Sequence, residues 1–121
     1  MHIIIGGAHQ GKLAYAEKEL NIPYELFCDL RTETPSENDT CYCHVEAFVL
    51  RCVENSTDPA ELLRYLDDDS VVISDDISGG IVPMDPTHRA WREATGRLLN
   101  ELCRRADRVT RIFCGLPLEL K

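Results

Sequence analysis

The residues best placed to do chemistry lie close to the start of the chain. Gly6-Gly7-Ala8-His9-Gln10-Gly11-Lys12 fits the pattern G-x-x-x-x-G-K. In such a loop the glycines let the backbone curl until successive N–H groups face a phosphate, and the lysine reaches the β- and γ-phosphates as a mobile point charge. The pattern requires a strand before it and a helix after it. His2-Ile3-Ile4-Ile5 supplies a β-branched run, and Lys12 to Leu20 sets Leu13, Ala16 and Leu20 on one helical face. Residues 6–13 are therefore expected to cradle phosphates at the positive end of that helix. Position 13 departs from the pattern: Leu13 stands where a Ser or Thr hydroxyl would ligate Mg²⁺. Leucine cannot coordinate a hard cation, although water could take the vacated place. Phosphate cradling is thus expected to outlast metal-dependent transfer.

A second constellation follows a second β-branched run. Val71-Val72-Ile73-Ser74 leads into Asp75 and Asp76, then Ile77-Ser78-Gly79-Gly80-Ile81-Val82-Pro83. Two carboxylates at the carboxyl end of a buried strand sit where a metal-orienting or water-orienting acid would face a phosphate loop. The plainer reading is that they cap a turn. Cys41-x-Cys43-His44, with Cys52 further on, raises the question of zinc. C-x-C is not the usual hook spacing and no second hook follows, so reduced thiols in buried elements are the better reading. Cys103 and Cys114 read as small core residues.

The remaining elements must position these groups. Tyr24 to Cys28 reads as a strand and Asp29 to Thr40 as loop. Cys41 to Val53 reads as a strand start followed by a helix through Phe48 and Val49. Asp58-Pro59 and Asp85-Pro86 each begin a helix, with Asp as N-cap and Pro at the first helical position. The second runs to about Ala106 on a stripe of Trp91, Ala94, Leu98, Leu102 and Ala106, and Val109 to Cys114 closes the chain as a strand. Strands alternating with helices imply one α/β domain over residues 1–121 with a mostly parallel sheet and flanking helices.

With 121 residues, one domain buries roughly two-thirds of its unfolded surface. A net charge of −8 argues against nucleic acid as partner, but one phosphate pocket needs only local positive potential. Residues 1–60 hold 4 basic and 10 acidic side chains and residues 61–121 hold 9 and 11, so the arginines of the second half read as a solvated helix face. No secretory leader or membrane-length apolar run is visible, which sets the expectation of a cytoplasmic protein with reduced cysteines.

Taken together, the two constellations resemble the adenosylcobinamide kinase/adenosylcobinamide-phosphate guanylyltransferase family. Residues 6–12 look like its G-G-A-R-S-G-K-S loop, and Ser74 to Pro83 resembles its N-E-V-G-x-G-I-V-P segment. The similarity continues through Arg89-x-Trp91-Arg92-Glu93, Gly96-Arg97-Leu98 and Ala106-Asp107. It ends in Gly115-Leu116-Pro117-Leu118-Glu119-Leu120-Lys121, like the family's G-x-P-L-x-L-K. Residues 1–20 and 70–121 carry it best. The resemblance implies a P-loop NTPase-like fold, a homotrimer, and two reactions of cobalamin biosynthesis. One phosphorylates adenosylcobinamide with GTP or ATP; the other transfers GMP through a histidine–GMP intermediate.

The middle of the chain does not follow the family's histidine segment, and His44 lies in a different context. Val45-Glu46-Ala47-Phe48-Val49-Leu50-Arg51 echoes a V-D-C-L-T-L-W segment, which would place Glu46 at the acidic metal position. On this basis Lys12, Asp75 and Asp76 are the catalytic candidates, and Glu46 with Asp75 would hold Mg²⁺. Three functions stay open: a cobinamide kinase without guanylyl transfer, a degenerate nucleotide- or corrinoid-binding module or assembly partner, and a structural domain.

Overall fold

The β-branched runs form strands because branched side chains suit a pleated, two-sided buried surface. The computed structural model describes residues 1–121. It contains β1 (His2–Gly6), α1 (Lys12–Glu19), β2 (Phe27–Asp29), β3 (Cys41–Cys43), α2 (Val45–Glu54), β4 (Val71–Asp75), α3 (Pro86–Arg105), β5 (Arg108–Phe113) and β6 (Leu116–Glu119). One six-stranded sheet has the order β2-β3-β4-β1-β5-β6. The first five strands run parallel and β6 returns antiparallel to β5.

Strand alternation divides the core in two. Ile3, Tyr42, Val72 and Val109 point to the side covered by α2 and α3, where they meet Val49, Leu98 and Leu102. Ile4, Cys41, Cys43, Ile73 and Ile112 point to the side covered by α1 and meet Ala16. The expected stripe of α3 is the face that packs: Ala94, Leu98, Leu102 and Ala106 are buried, with Trp91 packed partly against them. Asp85 caps α3 by accepting from Thr87 N at 2.8 Å, with Pro86 in the first turn.

Four expectations need correction. Tyr24–Leu26 is a 3-10 turn with Tyr24 and Leu26 exposed, so the second strand is only Phe27–Asp29 at the sheet edge. The element begun by Asp58-Pro59 is capped as expected, Asp58 accepting from Ala60 N at 3.0 Å, but it is a 3-10 helix over Pro59–Tyr65. Leu62 and Tyr65, and likewise Leu63 and Leu66, are three residues apart, which suits the three-residue period. The chain does not close at β5. Cys114 and Gly115, at φ 50° and 77°, form a tight turn into β6, the left-handed pair that a two-residue hairpin favours. Pro117 obscured this strand, although proline is tolerated at an edge. Cys114 is accordingly exposed rather than core, and Cys103 is half-buried.

Candidate functional site

The loop after β1 is shaped by close packing. A Cβ on Gly6 would fall 2.5 Å from the Ile112 carbonyl oxygen of β5, so only glycine lets the two strands approach there. Beyond it His9 takes φ 60° and Gly11 φ 98°, and α1 starts at Lys12. The Gln10 side-chain oxygen accepts from Cys114 N at 2.5 Å, and Gly115 N donates to the Gln10 carbonyl at 2.9 Å. The β5–β6 turn thereby pins the loop tip.

Lys12 is buried at 6% exposure, an expensive place for an ammonium unless it is paired. It donates from Nζ to the Gly7 carbonyl at 2.6 Å and lies 2.7 Å from Asp75 Oδ1. Asp75 ends β4 and pairs in register with Gly6. Its backbone N–H donates to Glu46 Oε2 at 2.9 Å, and Ser74 Oγ donates to the same oxygen at 3.3 Å. The other Glu46 oxygen lies 3.2 Å from His44 Nδ1. Glu46 therefore ties the start of α2 to the end of β4, while the Trp91 indole donates to its carbonyl at 2.7 Å and holds α3 against it.

These groups line a cavity of about 610 Å³ that is open to solvent beside the loop, with Lys12, His44, Glu46 and Asp75 in its wall and Leu13 and Arg31 at its rim. Ligand atoms of His44, Glu46 and Asp75 lie within 4.8 Å of one another. The site of the implied Mg²⁺ can be judged on that donor set. Two carboxylates converge there and Leu13 contributes no oxygen, which fits a hard cation that completes its shell with water and phosphate oxygens.

The structure brings Lys12, Leu13, Glu46 and Asp75 together and leaves Asp76 outside. Asp76 is exposed, and its Oδ1 accepts from the backbone N–H of Ser78 at 2.9 Å and from the Ser78 hydroxyl. Those bonds hold its carboxyl below the ordinary aspartate range. Among the cysteines, Cys28, Cys41, Cys43 and Cys52 are buried and all six are free thiols. Burial pushes Cys41 and Cys43 up to about 12, and the Cys43 sulfur lies within 4.8 Å of ligand atoms of Asp29 and His44.

Two cavity residues escaped sequence reasoning. His44 has neither a usual zinc-hook spacing nor the context of the family's histidine, yet it lies in the cavity wall. It sits at φ 59° between β3 and α2, a left-handed conformation uncommon outside glycine. Arg31 lay in what read as unstructured loop. It pairs with Asp29 at 2.7 Å and holds that carboxyl below its usual range.

Comparison with known proteins follows the same line. A family model described as cobinamide kinase / cobinamide phosphate guanyltransferase matches residues 42–120. The chain belongs to that family. The match takes in residues 42–69, which include the Val45–Arg51 echo and Glu46, and it begins beyond the Gly6–Lys12 loop. No curated protein matches the chain. No helix is long and apolar enough to cross a membrane.

Proposed function

We propose that this chain binds a purine nucleotide by its phosphates at residues 6–13 and passes the γ-phosphoryl group to a hydroxyl, with cobinamide as acceptor by family membership. The carrying observation is Lys12, buried and poised between the Gly7 carbonyl and Asp75 at the mouth of the cavity. An arriving phosphate offers Lys12 a stronger anionic partner and frees the Asp75 carboxylate. The acceptor hydroxyl then attacks the γ-phosphorus, the bond to the β-phosphate oxygen breaks, and the hydroxyl proton is released to solvent. Mg²⁺, held by Asp75 with Glu46 beside it, would neutralise charge building on the phosphate oxygens. Asp76 acts at one remove, by shaping the turn that follows β4. In this reading the protein works in the cytoplasm as a homotrimer, the assembly the family resemblance implies.

The test is transfer of labelled γ-phosphate from GTP or ATP to cobinamide. Turnover must exceed that of Lys12→Ala. Nucleotide binding without such turnover would instead support a degenerate binding module, as the Leu13 position suggests.

His44 favours a second reading that restores guanylyl transfer. Its Nδ1 faces Glu46, which orients the ring and leaves Nε2 as the nucleophile. Attack on the α-phosphorus of GTP would form an N–P bond and release pyrophosphate. An acid-labile GMP adduct lost in His44→Ala would support it, and no adduct on the wild type would refute it.

A further inference from the structure

Two grooves share wall residues with the cavity beside the loop, one on each flank of α1. The first adjoins it at Gly11 and Ala14, has a volume of about 540 Å³, and runs past Tyr15, Lys18, Arg108 and Pro117 towards the β5–β6 hairpin. The second adjoins it at Leu13 and Arg31, has a volume of about 270 Å³, and runs past Tyr24, Glu25 and Glu33 beside β2. A helix turns about 100° per residue, so Leu13 and Tyr15 lie either side of the buried Ala16 face.

The grooves differ in charge. The Tyr15 groove balances two cations, Lys18 and Arg108, against two carboxylates, Glu19 and Glu119; Lys18 is exposed and makes no ion pair, and Arg108 is held at 3.1 Å by Glu119. The Leu13 groove has three carboxylates, Glu25, Asp29 and Glu33, and its one cation, Arg31, is spent on Asp29. Lys12 Nζ turns to the β4 side, towards Asp75, which sets the terminal phosphate there. An in-line displacement needs its attacking and leaving oxygens on opposite sides of the transferred phosphorus. Donor nucleoside and acceptor therefore have to leave the cavity in opposite directions, and two grooves are present for them.

We propose that the Tyr15–Lys18–Arg108 groove is the nucleoside site, and that the acidic Leu13–Tyr24 groove is left to a neutral or cationic hydroxyl acceptor. Stacking on the Tyr15 ring suits a purine face, and Lys18 lies where the α-phosphate and ribose would pass. The anionic donor is kept out of the acidic groove by its carboxylates. Leu13 then acquires a use, as an apolar wall shared by the phosphate cavity and the acceptor groove.

This inference rests on the phosphate-binding reading above, and calorimetry on the full chain separates the two. GTP, ATP and inorganic tripolyphosphate are titrated against wild type, Lys12→Ala, Tyr15→Leu (which keeps apolar bulk), Lys18→Ala and Tyr24→Ala. The expected result is that the better nucleotide binds about tenfold tighter than tripolyphosphate, the worth of one base–aromatic stack. Tyr15→Leu should remove most of that margin while tripolyphosphate binding stays within about twofold, and Lys18→Ala should weaken nucleotide and tripolyphosphate alike, because both carry a phosphate at that position. Tyr24→Ala should change neither. If Tyr15→Leu and Lys18→Ala leave nucleotide affinity intact, or Tyr24→Ala alone lowers it, the groove assignment is wrong although the phosphate site stands. If neither nucleotide nor tripolyphosphate binds wild type, or Lys12→Ala binds both unchanged, the phosphate reading falls and takes the groove with it.

Discussion

Two segments that each carry paired glycines, residues 6–12 and 74–83, have opposite fates. The first is drawn into the sheet: Gly6 presses on β5, Gln10 is tied to the hairpin turn, and Lys12 is buried against Asp75. The second leaves the sheet at Asp75 and runs out to solvent, with Ile81 and Met84 at 94% and 92% exposure. Its backbone is held mainly by Arg92, which donates to the Ile81 carbonyl at 3.1 Å and also to that of Ser78, and by Arg89, which donates to the Met84 carbonyl at 2.7 Å. Of the segment that most resembles the family in sequence, only Asp75 lines the solvent-open cavity, and the residues after it lie outside. A motif's likeness to a family and its share in a site are separate properties, and only geometry assigns the second.

That contrast is open to mutation. Gly6→Ala should cost about 2–4 kcal/mol in urea unfolding, because its Cβ meets a backbone oxygen that cannot move aside. Gly79→Ala, which meets nothing within 4 Å, should stay within about 0.5 kcal/mol. Equal effects would erase the distinction. Glu46→Ala should be nearly as severe as Gly6→Ala, at about 2–3 kcal/mol, because it strands the Asp75 N–H and leaves the Ser74 hydroxyl only the Asp75 carbonyl. Asp76→Ala, releasing only an exposed turn, should cost about 0.5–1 kcal/mol.

A smaller effect concerns pH. Burial raises the thiols of Cys28, Cys41 and Cys43 to about 12 from the ordinary 9.0. A group whose native pKa lies above its unfolded value contributes stability below the unfolded pKa and loses it as pH rises. Unfolding free energy should therefore decline from about pH 9 upward. A profile flat from pH 8 to pH 11 would contradict the burial of these thiols. Smallest of all, a thiol reagent at pH 8 should modify exposed Cys114 first and leave the four buried cysteines slow. Fast reaction of Cys43 would place it outside the core.

Much of this was legible in residues. The β-branched runs gave β1 and β4, the two Asp-Pro pairs marked capped helical starts, and the stripe from Trp91 to Ala106 is the packed face of α3. Asp75 and Asp76 were separable in principle. Neighbours on a strand point to opposite faces, and Asp75 shares the α1 side with Ile73 and Ile4. His44 was not legible, because a three-residue strand shows almost no periodicity and the turn that aims the imidazole depends on a left-handed residue that is not glycine. β6 was hidden by Pro117, and Arg31 by a loop whose order comes from tertiary contacts such as Arg51 donating to the Leu30 carbonyl at 2.8 Å.

The central claim is that residues 6–12 hold phosphate through Lys12. Calorimetric titration of tripolyphosphate into wild type and Lys12→Ala, with folding of both checked by circular dichroism, addresses it without reference to base or acceptor. Loss of affinity on the order of 100-fold in the variant is the predicted result, about 2.7 kcal/mol for a buried charge-assisted contact. Equal affinity in two folded proteins would contradict it.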